Sequence, residues 1–533
     1  MKQTGYRQLR GMRLHFMGIG GQGISAVAQM ALQAGAQVSG CDQASSATTQ
    51  LLSGLGIPLE IGHGPQHLAQ ADALIYVPAV VASNPTSPEL QEARTAGLVV
   101  MTWQELLGQW LEGYCLLSVS GVHGKGTTTA MLALALLDAG LDPTCEIGAV
   151  VPRFGANYRI GHSEYFVNEA DEFNNNFWHY HPRLAVVTSI EFEHPEFFAD
   201  YRAYLASFEH FVQGMDLAGD WPFEPTLILN AGSPGCLELR QRLGHWPGRV
   251  LTYALEETEA READFVACDL QLSEQAGFRI RARDHTHALA GQAVTVRLPG
   301  AHNVENALAA LVAASSIGID AGVAIAAVAG FTGTRRRFEV RYEGPLWLAG
   351  EFREVVLVDD YAHHPTAIAR TLSAARTRYP QRRLVAVYQP HMYSRTRTFF
   401  EQFLHVFAEA DEVIIVDIYP GRERDSGLVH SRELARALSQ QADIVQAGTR
   451  VVYGGSVEKT AELLRTTLRT GDLAVIMGAG DVYQATEELI AAAPRSRQQV
   501  QREETSLPAR PREEIAALTG EQAAPLEGGP HDL

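Results

Sequence analysis

The segment Ser118-Val-Ser-Gly-Val-His-Gly-Lys-Gly-Thr-Thr-Thr129 runs from an apolar, strand-like stretch into an apolar helical one. Gly121, Gly124 and Gly126 let backbone N–H groups turn inward, and the helix expected to begin near Thr127 aims its positive dipole end at the same point. Lys125 adds a full charge, in a chain whose only other lysines are Lys2 and Lys459. With His123, these residues read as a phosphate-binding loop, and a nucleoside triphosphate is the expected ligand. The Walker spacing is imperfect, because Val119 stands five residues before Gly124 and Gly126 follows the lysine where Ser or Thr is usual. The hydroxyl for a magnesium ion then has to come from Thr127 or Thr128.

Towards the N-terminus, Arg13-Leu-His-Phe-Met-Gly-Ile-Gly-Gly-Gln-Gly23 leads into a predicted helix over 24–34 and a second strand, Gln37-Val-Ser-Gly-Cys-Asp42. Gly18, Gly20 and Gly23 form G-x-G-x-x-G, with Gly21 inside the turn and Asp42 ending the next strand at the ribose-binding distance. This marks a Rossmann-like nucleotide site, and the glycine turn says only that a diphosphate can approach a helix N-terminus. Further strands are predicted at 73–78 and 99–101, and the first domain, 1–112, ends near Glu112.

The second domain, 113–330, starts with the phosphate-loop strand. Within it, Tyr165-Phe-Val-Asn-Glu-Ala-Asp-Glu172 and Leu184-Ala-Val-Val-Thr-Ser-Ile-Glu191 read as buried strands ending in carboxylates, where open α/β sheets place ligands. Glu169, Asp171, Glu172, Glu191 and His194 offer oxygen donors and one imidazole, which suits magnesium. The third domain, 331–494, alternates strands (355–358, 384–388, 412–417, 473–477) with helices, and a mostly parallel sheet is expected. Its polar loops Val358-Asp-Asp-Tyr-Ala-His-His-Pro365 and Gln389-Pro-His-Met-Tyr-Ser-Arg-Thr-Arg397 each follow a strand. Arg395 and Arg397 are spaced to grip a carboxylate or phosphate. His363 and His364 either cap the next helix or line the loop, and repetition of the pattern favours lining. Residues 495–533 shift to Arg, Gln, Glu and Pro without periodicity and are expected to be disordered.

The whole chain thus reads as α/β with three domains. Its 533 residues and 46% hydrophobic content allow several cores, and a formal charge of −18 argues against nucleic acid or an anionic membrane as partner. No apolar run spans about 18 residues and no signal-peptide core opens the chain, so a cytoplasmic protein without stable membrane association is expected. The five scattered cysteines (41, 115, 145, 236, 268) indicate neither a disulfide framework nor a zinc site. Oligomeric state is left open.

The order G-x-G-G-x-G, G-x-H-G-K, E-A-D-E, I-E-x-x-H, H-N-x-x-N-A, R-R-F-E, D-D-Y-A-H-H-P-T, Q-P-H-x-Y-S-R-T-R and G-A-G-D resembles the Mur ligase family of cell-wall synthesis, over residues 12–490. The resemblance implies a Rossmann-like N-terminal domain for a UDP-sugar, a central P-loop ATPase domain for ATP and magnesium, and a C-terminal Rossmann-like domain that brings the amino acid. By that likeness Lys125 holds the outer phosphates, and Thr127, Glu169 and His194 the magnesium. Asn303 and Asn306 lie on the adenine side and Arg337 at the ATP phosphates. Gly18, Gly20, Gly21, Gly23 and Asp42 meet the UDP-sugar, and Tyr361, His363, His391 and Arg395 line the amino-acid end. The implied substrates are UDP-N-acetylmuramate and L-alanine, joined through an acyl phosphate. Two rivals are a recycling ligase that adds a tripeptide to the same sugar and a UDP-sugar-binding protein without activity. A nicotinamide oxidoreductase would leave the second nucleotide loop idle. Three positions depart from the family pattern: Gly126 for threonine, Ser189 for asparagine, and Met392 where alanine-adding members carry arginine.

Overall fold

The computed structural model describes residues 9–491 apart from positions 85, 257–261, 274, 422 and 426, together with the side chains of 81–83. The expected disorder of 495–533 falls outside the described residues. Alternation of short apolar strands with helices produces three sheets. In the first, β1 (Arg13–Met17), β2 (Gln37–Asp42), β3 (Leu59–Ile61), β4 (Ala73–Tyr76) and β5 (Val99–Thr102) pair in parallel in the order β3-β2-β1-β4-β5. The sequence order reverses beside β1, so the crevice at its C-terminal end is the switch point where such sheets take ligands. The glycine turn Gly18–Gly21 lies there. The helix after it spans Gln22–Gln33, two residues earlier than the periodicity predicts.

The second sheet has ten strands. At its centre Cys115–Ser120, fully buried, pairs in parallel with Tyr165–Glu169 on one side and Leu184–Val187 on the other. All three chains deliver their polar residues to one sheet end. Strands at Thr144–Val151, Thr226–Asn230 and Arg249–Leu255 extend it. Their patterns are not singled out by the sequence reading, because each is a short apolar run that equally fits a buried helix turn.

The third sheet has six strands, Glu339–Leu348, Glu351–Asp360, Asp472–Met477, Arg383–Tyr388, Glu412–Val416 and Arg450–Gly455, in that spatial order. It is parallel except for the hairpin Glu339–Leu348/Glu351–Asp360 at one edge, consistent with the expected mostly parallel sheet. Both its faces carry separate apolar cores. By contrast, the first domain and one face of the central sheet share a single apolar cluster running from Leu14 and Phe16 to Phe166, Phe177 and Phe208. Helix Gln22–Gln33 closes that junction, with Gln33 Nε2 donating to Tyr158 Oη at 3.0 Å. The third domain meets the central one through polar side chains and the ring of Phe192, 6.4 Å from that of Phe399. Its attachment passes through Arg336 and Phe338, whose φ values of 57° and 47° are left-handed. Among the described residues, no helix is long and apolar enough to cross a membrane.

Candidate functional site

Gly124, at φ 81°, is the N-cap of the Lys125–Asp138 helix, so the lysine itself opens the helix rather than the expected Thr127. A left-handed cap is open to glycine because it has no Cβ to clash. Two residues of the neighbouring strand end hold the loop. The Thr188 hydroxyl donates to Ser120 O at 3.0 Å, and Ser189 Oγ accepts from His123 N at 3.2 Å. Ser189, the second departure from the family pattern, is therefore a backbone anchor of the loop.

Lys125 Nζ lies 2.8 Å from Glu172 Oε2 and 3.8 Å from Asp171 Oδ1. Burial disfavours its ammonium, but the Glu172, Asp171 and Glu169 carboxylates outweigh that and hold its pKa above the usual lysine range. Glu172 is buried and also accepts from Tyr204 Oη at 3.0 Å. Asp171, Glu172 and His194 bring ligand atoms within 4.8 Å of one another, a hard oxygen set with one imidazole. Glu169 is not in this group. Its Oε2 accepts from Gly148 N at 2.7 Å, and a Cβ at position 126 would lie 3.0 Å from the same oxygen. Gly126, the first departure, thus gives Glu169 its room. The buried Glu146 beside it is pushed well above the usual carboxylate range, first by burial and then by Glu169 and Asp171. Thr127 and Thr128 are buried in the helix's first turn. Thr128 Oγ1 donates to Asn306 Oδ1 at 3.3 Å, and Asn306 Nδ2 to Asn303 Oδ1 at 3.3 Å, so Asn306 sits against the turn at Gly124 with Asn303 behind it.

The third domain supplies the opposite wall. Arg395, on the short helix Tyr393–Thr398, donates from Nε to Glu193 Oε1 at 2.9 Å, with both side chains 4% exposed. Its other nitrogens reach His391 Nδ1 at 3.0 Å and His194 Nδ1 at 3.4 Å. Arg397 is exposed, and the expected two-arginine grip does not form. Residues two apart on a helix point about 200° apart, so only one of the pair can face the site. Burial raises the Glu193 carboxyl, but the charge of Arg395, followed by that of His194, holds it well below the usual range.

Glu191 makes the second link between the domains. It pairs with His123 of the glycine-rich turn before the helix Lys125–Asp138, accepts from Thr366 Oγ1 at 2.9 Å and lies 3.7 Å from His364 Nδ1. Against its burial, His123 leads in pulling its pKa down to about 2. His364 accepts from Thr366 N at 3.3 Å and is the N-cap of the Pro365–Arg378 helix. Capping is thus its local role, whereas His363 faces His391 at 5.9 Å between ring centres. Burial first, then the charge of Arg395, holds His363 well below the usual histidine range, so its imidazole is neutral. Arg337 stacks over Tyr361 at 4.9 Å. Met392 is 2% exposed at φ 67° and lies against the backbone of Gly421, whose added Cβ would stand 3.0 Å from Met392 Cγ. In the first domain Asp42 Oδ2 accepts from Gly20 N at 2.8 Å, which ties the glycine turn to the end of β2.

Sequence reasoning missed Glu193 as the partner of Arg395. The I-E-x-x-H pattern drew attention to Glu191 and His194, and the intervening carboxylate carried no spacing signal.

Three family profiles match the chain. "Mur ligase family, catalytic domain" covers residues 13–114, "Mur ligase middle domain" covers 119–314, and "Mur ligase, glutamate ligase domain" covers 336–480. The UDP-N-acetylmuramate–L-alanine ligase of Clostridium novyi is 33% identical over 487 residues, 90% of this chain and 97% of that protein. That of Acetivibrio thermocellus is 35% identical over 476 residues, 89% and 94% of the two chains. Among solved structures, the UDP-N-acetylmuramate–alanine ligase of Thermotoga maritima superposes with a TM-score of 0.72 at 23% identity, covering 93% of this chain and 100% of that one. A murein peptide ligase from Psychrobacter arcticus does so with a TM-score of 0.66 at 25% identity, covering 90% and 98%. By its 33–35% identity to these relatives over about nine-tenths of its own length and its match to a family profile in each of the three sheets, this chain belongs to the Mur ligase family.

Proposed function

We propose that the chain is an ATP-dependent ligase that joins L-alanine to the lactyl carboxylate of UDP-N-acetylmuramate, a step in building peptidoglycan precursors. The carrying observation is the seam between the second and third domains. There Lys125 and the Asp171–Glu172–His194 group face the Arg395, His391 and His363 side chains, so a phosphate loop and a second-substrate loop open on one space. The curated relatives that cover the chain almost end to end carry this activity in their names.

In this reading the lactyl carboxylate attacks the γ-phosphorus of ATP, the bond to ADP breaks, and an acyl phosphate results. The amine of alanine adds to the acyl carbon, loses a proton, and phosphate departs to leave the amide. Negative charge grows on phosphoryl and carbonyl oxygens, so fixed cations contribute most. Lys125 leaves Glu172 to meet the outer phosphates, and Arg337 approaches from the Tyr361 side. Magnesium, when bound, neutralises phosphate oxygens. Asp171, Glu172 and His194 have the donor set for it, with Thr127 and Glu169 beside them. His363, held neutral by burial and Arg395, lines the amino-acid end without adding positive charge. The Gly18–Gly23 turn takes the UDP-sugar and Asn303 and Asn306 the adenine side. We place the enzyme in the cytoplasm, with the ATP it would use.

Phosphate release with ATP, magnesium, UDP-N-acetylmuramate and a panel of amino acids tests the reading. L-alanine should give the highest kcat/KM, with glycine and L-serine slower by roughly 10–200-fold, the discrimination that one small group supports. Efficient use of the tripeptide with little use of L-alanine would assign the recycling reaction instead. No release with any acceptor would leave a binding protein.

A further inference from the structure

The first domain buries a further cluster of metal-type side chains, behind the glycine turn. Glu89 is 0% exposed, and its ion-pair partners among the described residues are all imidazoles: His15 Nε2 at 3.0 Å, His67 Nδ1 at 3.2 Å and His63 Nδ1 at 3.7 Å. Cys41 Sγ lies 3.4 Å from Glu89 Oε2. One atom each from His15, Cys41, His67 and Glu89 falls within 4.8 Å of all the others. Although His15 Nε2 is that close to the carboxylate, it is a buried atom with no hydrogen-bond partner. The ring nitrogen and the carboxylate are thus neighbours out of hydrogen-bonding alignment, a placement in which both could turn to a shared cation.

We propose that His15, Cys41, His67 and Glu89 form a closed, tetrahedral site for zinc. Thiolate, imidazole and carboxylate bonds of about 2.0–2.3 Å around a tetrahedral ion put neighbouring ligand atoms roughly 3.3–3.8 Å apart, close to the spacings around Glu89. Such donors select zinc over magnesium, whose hard character suits the carboxylate-rich group of the central domain. One thiolate, one carboxylate and two neutral imidazoles balance the ion's charge, and the thiol proton leaves to solvent on binding. The ligand ring of His15 is already oriented, since its Nδ1 lies 2.9 Å from Ser39 Oγ. His63, with Nδ1 at 3.1 Å from Cys41 Sγ, stands as an outer partner of the sulfur.

The site is wired to the glycine turn. Gly18 N and Ile19 N donate to the Cys41 carbonyl at 2.8 and 3.1 Å, and the next residue, Asp42, holds Gly20 N. An ion on Cys41 thereby fixes the back of the turn that the proposed UDP-sugar meets. Its role is structural, and its ligands come from four segments, β1, β2, the turn Pro65–Leu68 and the helix Pro88–Thr95, which one ion would tie at a single point.

Full-length protein stripped with a chelator and titrated with cobalt(II) tests the assignment. One equivalent should bind with tetrahedral visible bands and a near-ultraviolet thiolate-to-cobalt band, and added zinc should displace it and raise Tm. Cys41→Ser should lose the thiolate band, and Ser39→Ala should weaken binding roughly 10–100-fold with the band retained. The other two His/carboxylate groups among the described residues contain no sulfur, so cobalt there gives no such band. His67→Gln, at the most accessible ligand, keeps the test usable should Cys41→Ser not fold, and should lower zinc content in the same way. Wild-type protein without a thiolate band, a band that survives Cys41→Ser, or zinc content unaffected by His67→Gln would overturn the site and leave a hydrogen-bonded histidine cluster.

Discussion

Glu169 Oε2 is confined by two glycines, because a Cβ at 126 would stand 3.0 Å from it and one at 148 only 2.7 Å away. Gly148→Ala removes that space and strains the hydrogen bond from the same residue's N–H, so the carboxylate has to swing by about an ångström. A displacement of that size at a positioned group costs up to roughly 100-fold in rate. Turnover in the phosphate-release assay should fall accordingly while Tm changes little, and unchanged turnover would remove Glu169 from the reaction. Asp359 makes a different prediction. Burial pushes it up to about 6 from 3.8, against the Thr486 hydrogen bond and Arg341. The folded state therefore binds its proton more tightly, and the stability this confers is complete below pH ~4 and lost as pH rises through 6. Asp359→Asn should flatten the pH dependence of urea unfolding between pH 4 and 7 by about 3 kcal/mol. Parallel curves for the two proteins would contradict the assignment.

At the scale of elements, the loop after strand Arg383–Tyr388 and the loop after Leu184–Val187 meet through Arg395 and Glu193. Removing one partner leaves a buried charge without compensation, worth about 3–5 kcal/mol. Glu193→Gln and Arg395→Met should each destabilise by an amount of that order, and the double variant by less than their sum, as measured by chemical unfolding. Strict additivity would show that the pair is not formed. The elements were legible where composition and turn chemistry agreed. β1, β2 and the glycine turn between them follow from apolar alternation and G-x-G-x-x-G, and the strands before Asp359 and Gln389 from their apolar runs. The grip expected of Arg395 with Arg397 does not form because the segment is helical, Tyr393–Thr398, and turns the two side chains to different sides. His363 and His364 differ for a similar reason, since helix initiation at Pro365 takes the second imidazole for its own N–H groups.

On the scale of the molecule, the first and central domains share an apolar cluster, whereas the third is held by Glu191, Glu193 and Phe192 and by a connection with left-handed φ at Arg336 and Phe338. That contrast favours a third domain that moves against a fixed pair. It also places the two nucleotide turns on different domains. Lys125→Ala should cut turnover by 100–1,000-fold or more, the order seen when a fixed charge-stabilising donor is lost. Calorimetric affinity for UDP-N-acetylmuramate should stay within about 2-fold, and its loss would show that the sugar does not bind the first domain. The α/β class, the three-part order and the glycine-rich turn before the helix Lys125–Asp138 were determined by sequence, because glycine turns, apolar strands and helix starts are local and carry their signal within about a dozen residues. Tertiary structure alone decided that Glu193 occupies Arg395, that Glu169 turns to Gly148 while Glu172 holds Lys125, and that His15, Cys41, His67 and Glu89 converge. Those partners lie 20 to 200 residues apart on separate strands and domains, and no local periodicity records which charges the packing of three sheets will bring together.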